Sequence, residues 1–177
     1  MNKQIFSRTS PLTNGQIDEF FADHGHLAYR HTMLLAHMEK DRKEELQNHY
    51  ELAICAFEAS LLTCRMFMTF LGLGITRQPK LSLIEKREYF EIGGKTDEVK
   101  VIDLGGQFVN LVDLAQSERD LLARVYNAAS KATAHFTYGS KPDPDPNDLH
   151  PAATLVDKLL RKNLYDIVNK PVKLHGL

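Results

Sequence analysis

Three histidines fall on predicted helix faces that are otherwise apolar. His24 and His31 lie at seven-residue spacing on the line that joins Ile17 to Met38, and His135 lies on the apolar face of a later helix. Imidazole titrates near neutral pH and needs hydrogen-bond partners when it is buried. Three imidazoles can also bind one zinc or nickel ion. The pattern therefore predicts a structural polar layer, a ligand site or a divalent metal site.

Two charged side chains interrupt the most apolar predicted helix. Glu58 and Arg65 are the only charged residues between Glu51 and Arg77, and their seven-residue separation places them on one helix face. If that face is exposed, they are ordinary solvated residues. If the helix is as buried as its composition suggests, they belong to a polar site or an interface, where charges must be paired.

Phosphate-binding motifs fail on spacing or on context. Residues 94–96 read Gly-Lys-Thr, like the end of a phosphate-binding loop, but position 89 is tyrosine where the first glycine is required. Gly72 and Gly74 follow a predicted helix, whereas the dinucleotide fingerprint follows a strand. We therefore expect no nucleotide-binding loop.

The bulk composition predicts one cytoplasmic domain. The chain has 177 residues, 43% of them apolar, which is enough for one well-packed domain. Its net charge is −1, so the chain as a whole lacks the basic surface of a nucleic-acid-binding protein. Nucleic-acid binding through a local basic patch is not excluded by this charge. Residues 1–11 lack the apolar core of a signal peptide, and the apolar stretch 66–75 is too short to span a membrane. Cys55 and Cys64 lie nine residues apart on one predicted helix, which indicates reduced core cysteines.

Apolar periodicity predicts a mostly α protein, an up-and-down bundle of four to five helices. The predicted long helices cover about residues 14–39, 43–71, 117–136 and 151–170. Thr13 or Asn14 caps the first, and Gly25 inside it marks close packing or a kink. Ser117 caps the third, and the proline-rich residues 141–151 form a loop before the last.

Strand-forming residues interrupt the helical pattern between the second and third long helices. Residues 89–92 and 99–104 are rich in strand formers, with a Gly-Gly turn between them, which predicts a small β-hairpin insertion over about 89–104. Ser82 and Glu85 have capping-box spacing, which predicts a short helix through about residue 87.

The domain organisation follows from these elements. Residues 1–14 form a flexible N-terminal arm, 15–170 a single helical bundle domain, and 171–177 a C-terminal tail. The second long helix is apolar nearly all round from Leu52 onward, so it lies at the centre of the bundle or forms an oligomer interface. We predict a homodimer formed through helical faces.

Residues 124–137, Arg-Val-Tyr-Asn-Ala-Ala-Ser-Lys-Ala-Thr-Ala-His-Phe-Thr, resemble the end of a helix in the HEPN-type helical bundle proteins. In that family a lysine or arginine and a terminal histidine followed by a small polar turn recur. The resemblance therefore adds Lys131 to the candidate ligand-binding residues, beside His135.

HEPN ribonucleases cleave RNA without a metal, using an arginine followed four to six residues later by a histidine. The pairs Arg30–His37 and Arg42–His49 lie at the outer limit of that spacing, and Arg124 is too far from His135. The resemblance therefore implies a divergent or non-catalytic member.

Three functions are consistent with these patterns. The first is a ligand-binding, partner-binding or regulatory module with a polar core patch, and its candidate residues are His24, His31, Glu58, Arg65, Lys131 and His135. The second is a His-rich, metal-dependent hydrolase, in which the three histidines hold a divalent metal. The third is a divergent HEPN-like ribonuclease. Convergence of the three histidines would favour the first two.

Overall fold

A computed structural model describes residues 8, 10–36, 49–92, 95–96, 98–132 and 145–175 of the chain. These residues form a mostly helical bundle with small antiparallel strand pairs, which confirms the predicted fold class. The helices are α1 (Asn14–Phe21), α2 (His26–Leu35), α3 (Tyr50–Phe70), α4 (Gln116–Ala132) and α5 (Pro146–Leu160). A π-helical segment, Arg161–Tyr165, and a last turn, Asp166–Val168, continue α5.

The first predicted helix is interrupted. α1 ends at Phe21 and α2 begins at His26, so the prediction of one helix through residue 39 is wrong, although residues 37–39 themselves lie outside the described part. Gly25 explains the break, because a Cβ there would lie 2.2 Å from the Glu19 carbonyl oxygen. Close packing at this glycine was predicted. Thr13 caps α1 and forms a capping box with Gln16, as its residue type indicated.

The central helix is α3, which packs against α2, α4 and α5. The side chains of Leu61, Cys64, Met68 and Leu71 are buried on its inner face or at its end. Burial raises the pKa of the Cys64 thiol to about 12. Cys55 is exposed, so the prediction that it is a core cysteine is wrong.

The length and apolar composition of Glu51–Phe70 would suffice for a membrane span, and this segment is longer than the apolar stretch noted in the sequence. Here α3 lies within the bundle, and core helices of globular proteins pass the same test. Its outer face keeps exposed apolar side chains, with Leu52 50%, Ile54 39% and Leu62 42% exposed.

Two short strand pairs follow α3. β1 (Leu73–Thr76) pairs antiparallel with β2 (Ser82–Glu85), and β3 (Glu91–Ile92) pairs antiparallel with β4 (Lys95–Thr96). The second pair confirms a hairpin inside the predicted insertion. Residues Val101–Leu104, predicted as a strand, form a 3-10 helix, as do Leu111–Asp113.

The prediction of a short helix that starts at Ser82 is wrong, because this segment is strand β2. Its Leu83 side chain is buried, and the strand is paired with β1 along its whole length, from Leu73 opposite Glu85 to Thr76 opposite Ser82. Burial and strand pairing therefore outweigh the local capping signal.

The last two helices begin earlier than predicted. Gln116 begins α4, so Ser117 lies in its first turn. Asp145 caps α5 by accepting a hydrogen bond from the Asn147 N–H at 2.9 Å. The prediction of a loop through Pro151 is therefore wrong from residue 146 onward, because these residues are helical. Pro151 lies in the second turn of α5, where its missing N–H removes one helical hydrogen bond.

Candidate functional site

A surface groove opens between α2 and α3. Its cavity volume is about 580 Å³, within the usual range for small-molecule sites. Most lining residues come from these two helices, with Phe20 of α1 and residues 98–99 completing the wall. Segments far apart in sequence thus meet at one concave surface.

The floor of the groove is apolar and partly aromatic. Leu27 and Phe67 are buried, and Phe70 is half-buried. The Phe67 and Phe70 rings pack nearly edge to face, with centroids 6.3 Å apart. Phe70 lies three residues after Phe67 and four after Met66, so its side chain lies on the same side of α3 as each of them. This floor can accommodate an apolar or aromatic group.

Two guanidinium groups line the groove above this floor. The Arg30 guanidinium contacts the Met66 sulfur through Nη1. The Arg65 guanidinium lies 5.7 Å from the centre of the Tyr126 ring, a cation–π distance. Among the described residues neither arginine forms an ion pair with a carboxylate. Both therefore retain donors for an anion.

Among the described residues that line the groove, Glu98 is the one carboxylate, and the buried Lys100 compensates its charge. Lys100 is only 1% exposed, and its Nζ donates to Glu98 Oε1 at 2.7 Å and to the Thr69 carbonyl oxygen at 3.1 Å. The Phe90 N–H donates to the other Glu98 oxygen at 2.8 Å. With Glu98 paired in this way, the two arginines leave the lining with net positive charge.

A buried polar network lies behind the groove floor. His31 is fully buried, and its Nε2 lies 2.5 Å from Asp157 Oδ1. Its Nδ1 lies 3.5 Å from the Tyr165 hydroxyl, and its ring packs 6.1 Å from that of Phe67. Arg161 donates to both oxygens of Asp157. Among the described residues that were predicted to form a polar layer, His31 alone belongs to this network.

The charge states of this network follow from its contacts. Partial burial tends to raise the pKa of Asp157, but the hydrogen bonds from His31 and Arg161 outweigh it and hold that pKa below its usual value. Burial raises the pKa of Tyr165 to about 12, so its hydroxyl stays protonated and can donate to His31. The arrangement orients His31 and supplies no activated nucleophile, which favours a structural role.

The predicted histidine cluster is not formed by His24 and His31. His24 is exposed in the turn between α1 and α2, so the expectation that it lies on a core face is wrong. The helix break at Gly25 removes the shared face. His135 lies outside the described residues. Within the described part of the chain, no three His, Cys, Asp or Glu side chains are grouped closely enough to hold a metal ion.

The other predicted site residues lie apart from each other. Arg65 lines the groove, whereas Glu58, two turns earlier on α3, is exposed. Lys131 is half-buried in the last turn of α4. Arg124, in the segment that resembles HEPN proteins, forms a two-bond ion pair with Asp148. His37 and Arg42, which complete the arginine–histidine pairs, lie outside the described residues.

Sequence reasoning missed several groove residues, although two signals were present. His26 and Arg30 are four residues apart, a spacing that places them on one helix face, and both line the groove. Lys100 lies between Val99 and Val101, and a lysine inside a short apolar segment can indicate a buried, paired charge. Its side chain is indeed buried. No local pattern linked either signal to α3.

Comparison of the chain with protein-family models, curated proteins and solved structures finds no match.

Proposed function

We propose that this protein is a binding module for a small organic anion with an apolar or aromatic body, which occupies the groove between α2 and α3. The observation that carries this proposal is the position of Arg30 and Arg65 above an apolar floor, with neither paired to a carboxylate among the described residues. This is the ligand-binding function anticipated from the sequence, with Arg65 kept from the predicted residues and Arg30 added to it.

The chemistry of the lining favours this ligand class over others. Guanidinium groups bind carboxylate, sulfonate or phosphate groups through charge-assisted hydrogen bonds. A cationic ligand would meet two arginines and a glutamate already engaged by Lys100. A purely polar anion would leave Phe67 and Phe70 without a contact. An amphipathic anion satisfies both parts of the groove.

A fluorescent probe tests this function directly. 8-Anilinonaphthalene-1-sulfonate is an aromatic anion, and its fluorescence rises in apolar sites. Arg65→Gln and Arg30→Gln are each expected to weaken its binding by roughly tenfold, the effect of losing one hydrogen bond between charged groups. Arg77→Gln is the matched control, because Arg77 is exposed outside this groove and bonds Asn127. An equal loss in all three variants would refute the proposal.

A displacement experiment separates charge from shape. 1-Naphthoate is expected to displace the probe from the wild-type protein, and the neutral 1-naphthamide to displace it much less. Inorganic phosphate, which lacks an apolar body, is expected to compete weakly. If the amide competes as well as the carboxylate, the arginines do not select the ligand and the proposed ligand class is wrong.

Two other functions stay predictions. A HEPN-like ribonuclease would degrade RNA in a reaction that His135→Ala abolishes, and RNA degradation that survives this substitution would exclude a role for His135. A metal-dependent hydrolase would purify with a stoichiometric divalent metal, which elemental analysis measures. Cytoplasmic location and homodimer formation are likewise predictions.

A further inference from the structure

The C-terminal strap, residues 170–175, returns across the α1–α2 turn. Lys170 Nζ lies 3.1 Å from Asp18 Oδ1, and Lys173 Nζ lies 2.6 Å from Asp23 Oδ1. The hydrogen bond from Lys173 holds the pKa of Asp23 below its usual value. These ion pairs place the strap beside the turn.

His24 and His175 meet where the strap crosses the turn. Their Nδ1 atoms are 3.1 Å apart, and their ring planes are nearly perpendicular at 83°. The His175 backbone N–H donates to Thr32 Oγ1 at 2.7 Å, which fixes the strap at this point. Both side chains are exposed, so solvent reaches the space around the facing nitrogens.

The separation of the two nitrogens suits a shared metal ion. Zinc binds imidazole nitrogen at about 2.0–2.1 Å, so two such ligands at angles between 90° and tetrahedral lie roughly 2.8–3.4 Å apart. The observed 3.1 Å falls within that range. Imidazole suits zinc, nickel and copper, whereas magnesium and calcium prefer oxygen ligands.

We infer that His24 and His175 form a two-histidine site for Zn²⁺, Ni²⁺ or Cu²⁺, which fastens the C-terminal strap to the α1–α2 turn. Water completes the coordination, because both rings are exposed. The neighbouring Asp23 and Lys173 compensate each other's charge and leave the site without a strong local repulsion. This site is separate from the anion groove and does not depend on it.

Zn²⁺ titration of the full chain, with any affinity tag removed, tests the site. Isothermal calorimetry on the wild-type protein is expected to include one Zn²⁺ binding event that His24→Ala and His175→Ala each weaken by an order of magnitude or more, because either variant loses the chelate. His49→Ala is the matched control, since His49 is exposed at the start of α3. Mg²⁺ is expected not to bind.

Thermal unfolding supplies a second readout. Zn²⁺ is expected to raise the unfolding temperature of the wild-type protein and of His49→Ala, but not that of His175→Ala. The His175 side chain is exposed, so this variant is expected to fold. Equal Zn²⁺ affinity in wild type, His24→Ala and His175→Ala would overturn the inference, as would an absence of wild-type binding at millimolar Zn²⁺. Probe binding in the groove is expected to be unchanged in both histidine variants.

Discussion

The imidazole of His31 and the carboxylate of Asp157 join α2 to the last long helix across 126 residues of sequence. His31 Nε2 lies 2.5 Å from Asp157 Oδ1, and the imidazole is fully buried. Arg161, one turn after Asp157, binds the same carboxylate. This contact satisfies the polar group that α2 buries, and it stands directly behind the Phe67 ring of the groove floor.

Asp157→Ala is expected to lower the free energy of unfolding by about 2 kcal/mol at neutral pH, because His31 loses its buried partner. Asp157→Asn is the milder control, since its amide oxygen can still accept from His31 Nε2. Urea denaturation measures both. Equal stability of wild type and Asp157→Ala would contradict a stabilising role for this pair.

The stabilisation by Asp157 is expected to depend on pH with a defined sign. The pKa of Asp157 is lower in the folded protein than its usual value of 3.8, so the folded state favours the ionised form. Its contribution is therefore fully present above that usual value and is lost as the pH falls through the lower folded pKa. The stability difference between wild type and Asp157→Asn should shrink in that acidic range. A difference that grows on acidification would contradict this sign.

The Lys100–Glu98 pair is expected to show unequal single-substitution effects. Lys100 is almost completely buried, whereas Glu98 is partly exposed. Glu98→Gln leaves a buried ammonium group without its counter-charge and should cost about 3 kcal/mol of unfolding free energy. Lys100→Met leaves a carboxylate that water can reach and should cost less.

The double variant Lys100→Met with Glu98→Gln completes this comparison. Its loss of stability should be smaller than the sum of the two single losses, because the pair is removed together. Chemical denaturation of the four proteins measures the coupling. Additive losses would show that the two charges do not stabilise each other.

Gly25→Ala is expected to destabilise the protein by about 2 kcal/mol, within the range for overpacking. A Cβ at this position would lie 2.2 Å from the Glu19 carbonyl oxygen and 2.8 Å from that of Phe20, so the α1–α2 turn must open. Gly15→Ala is the matched control. It lies within α1 with nothing within 4 Å of its Cβ, and it should stabilise the helix by about 0.5–1 kcal/mol. Thermal or urea unfolding distinguishes the two signs.

The predicted homodimer is proposed to use exposed apolar side chains on the outward side of α3. Ile54→Lys and Leu62→Lys are expected to shift a dimer to a monomer, because these residues are eight apart on that side and each substitution places a charge in the apolar interface. Val112→Lys is the control, since Val112 is 75% exposed but lies outside α3. Light scattering coupled to size-exclusion chromatography gives the mass. A monomeric wild type at micromolar concentrations, or equal effects of all three variants, would refute this interface.

Local signals in the sequence predicted much of the helical framework. Thr13 and Gln16 form their capping box within four residues, and the periodic apolar residues of α3 identify a core helix without reference to other segments. Gly25 was predicted to mark close packing or a kink, whereas the structure has close packing at a complete helix break. At the break, the Gly25 backbone packs against the carbonyl oxygens at the end of α1. A Cβ atom at this position would collide with them, so the turn requires glycine.

The candidate site was predictable only in part. Arg65 stood out because a charge inside an apolar helix needs an explanation, and it lines the groove. Arg30 lies on another helix, and Glu98 lies in a segment that follows the strands. Their approach to Arg65 depends on how α2 and residues 98–100 pack on α3, and no periodicity within one segment encodes that arrangement.

The sequence by itself determined which faces of the helices are apolar and that His31 is a polar residue among core residues, because side-chain periodicity is a local property. Only the tertiary structure decided the partners. It paired His31 with Asp157 and His24 with His175, and it placed Arg30 beside the apolar floor of α3. Such contacts depend on the packing angle and register of distant elements, which the free energy of the whole core sets.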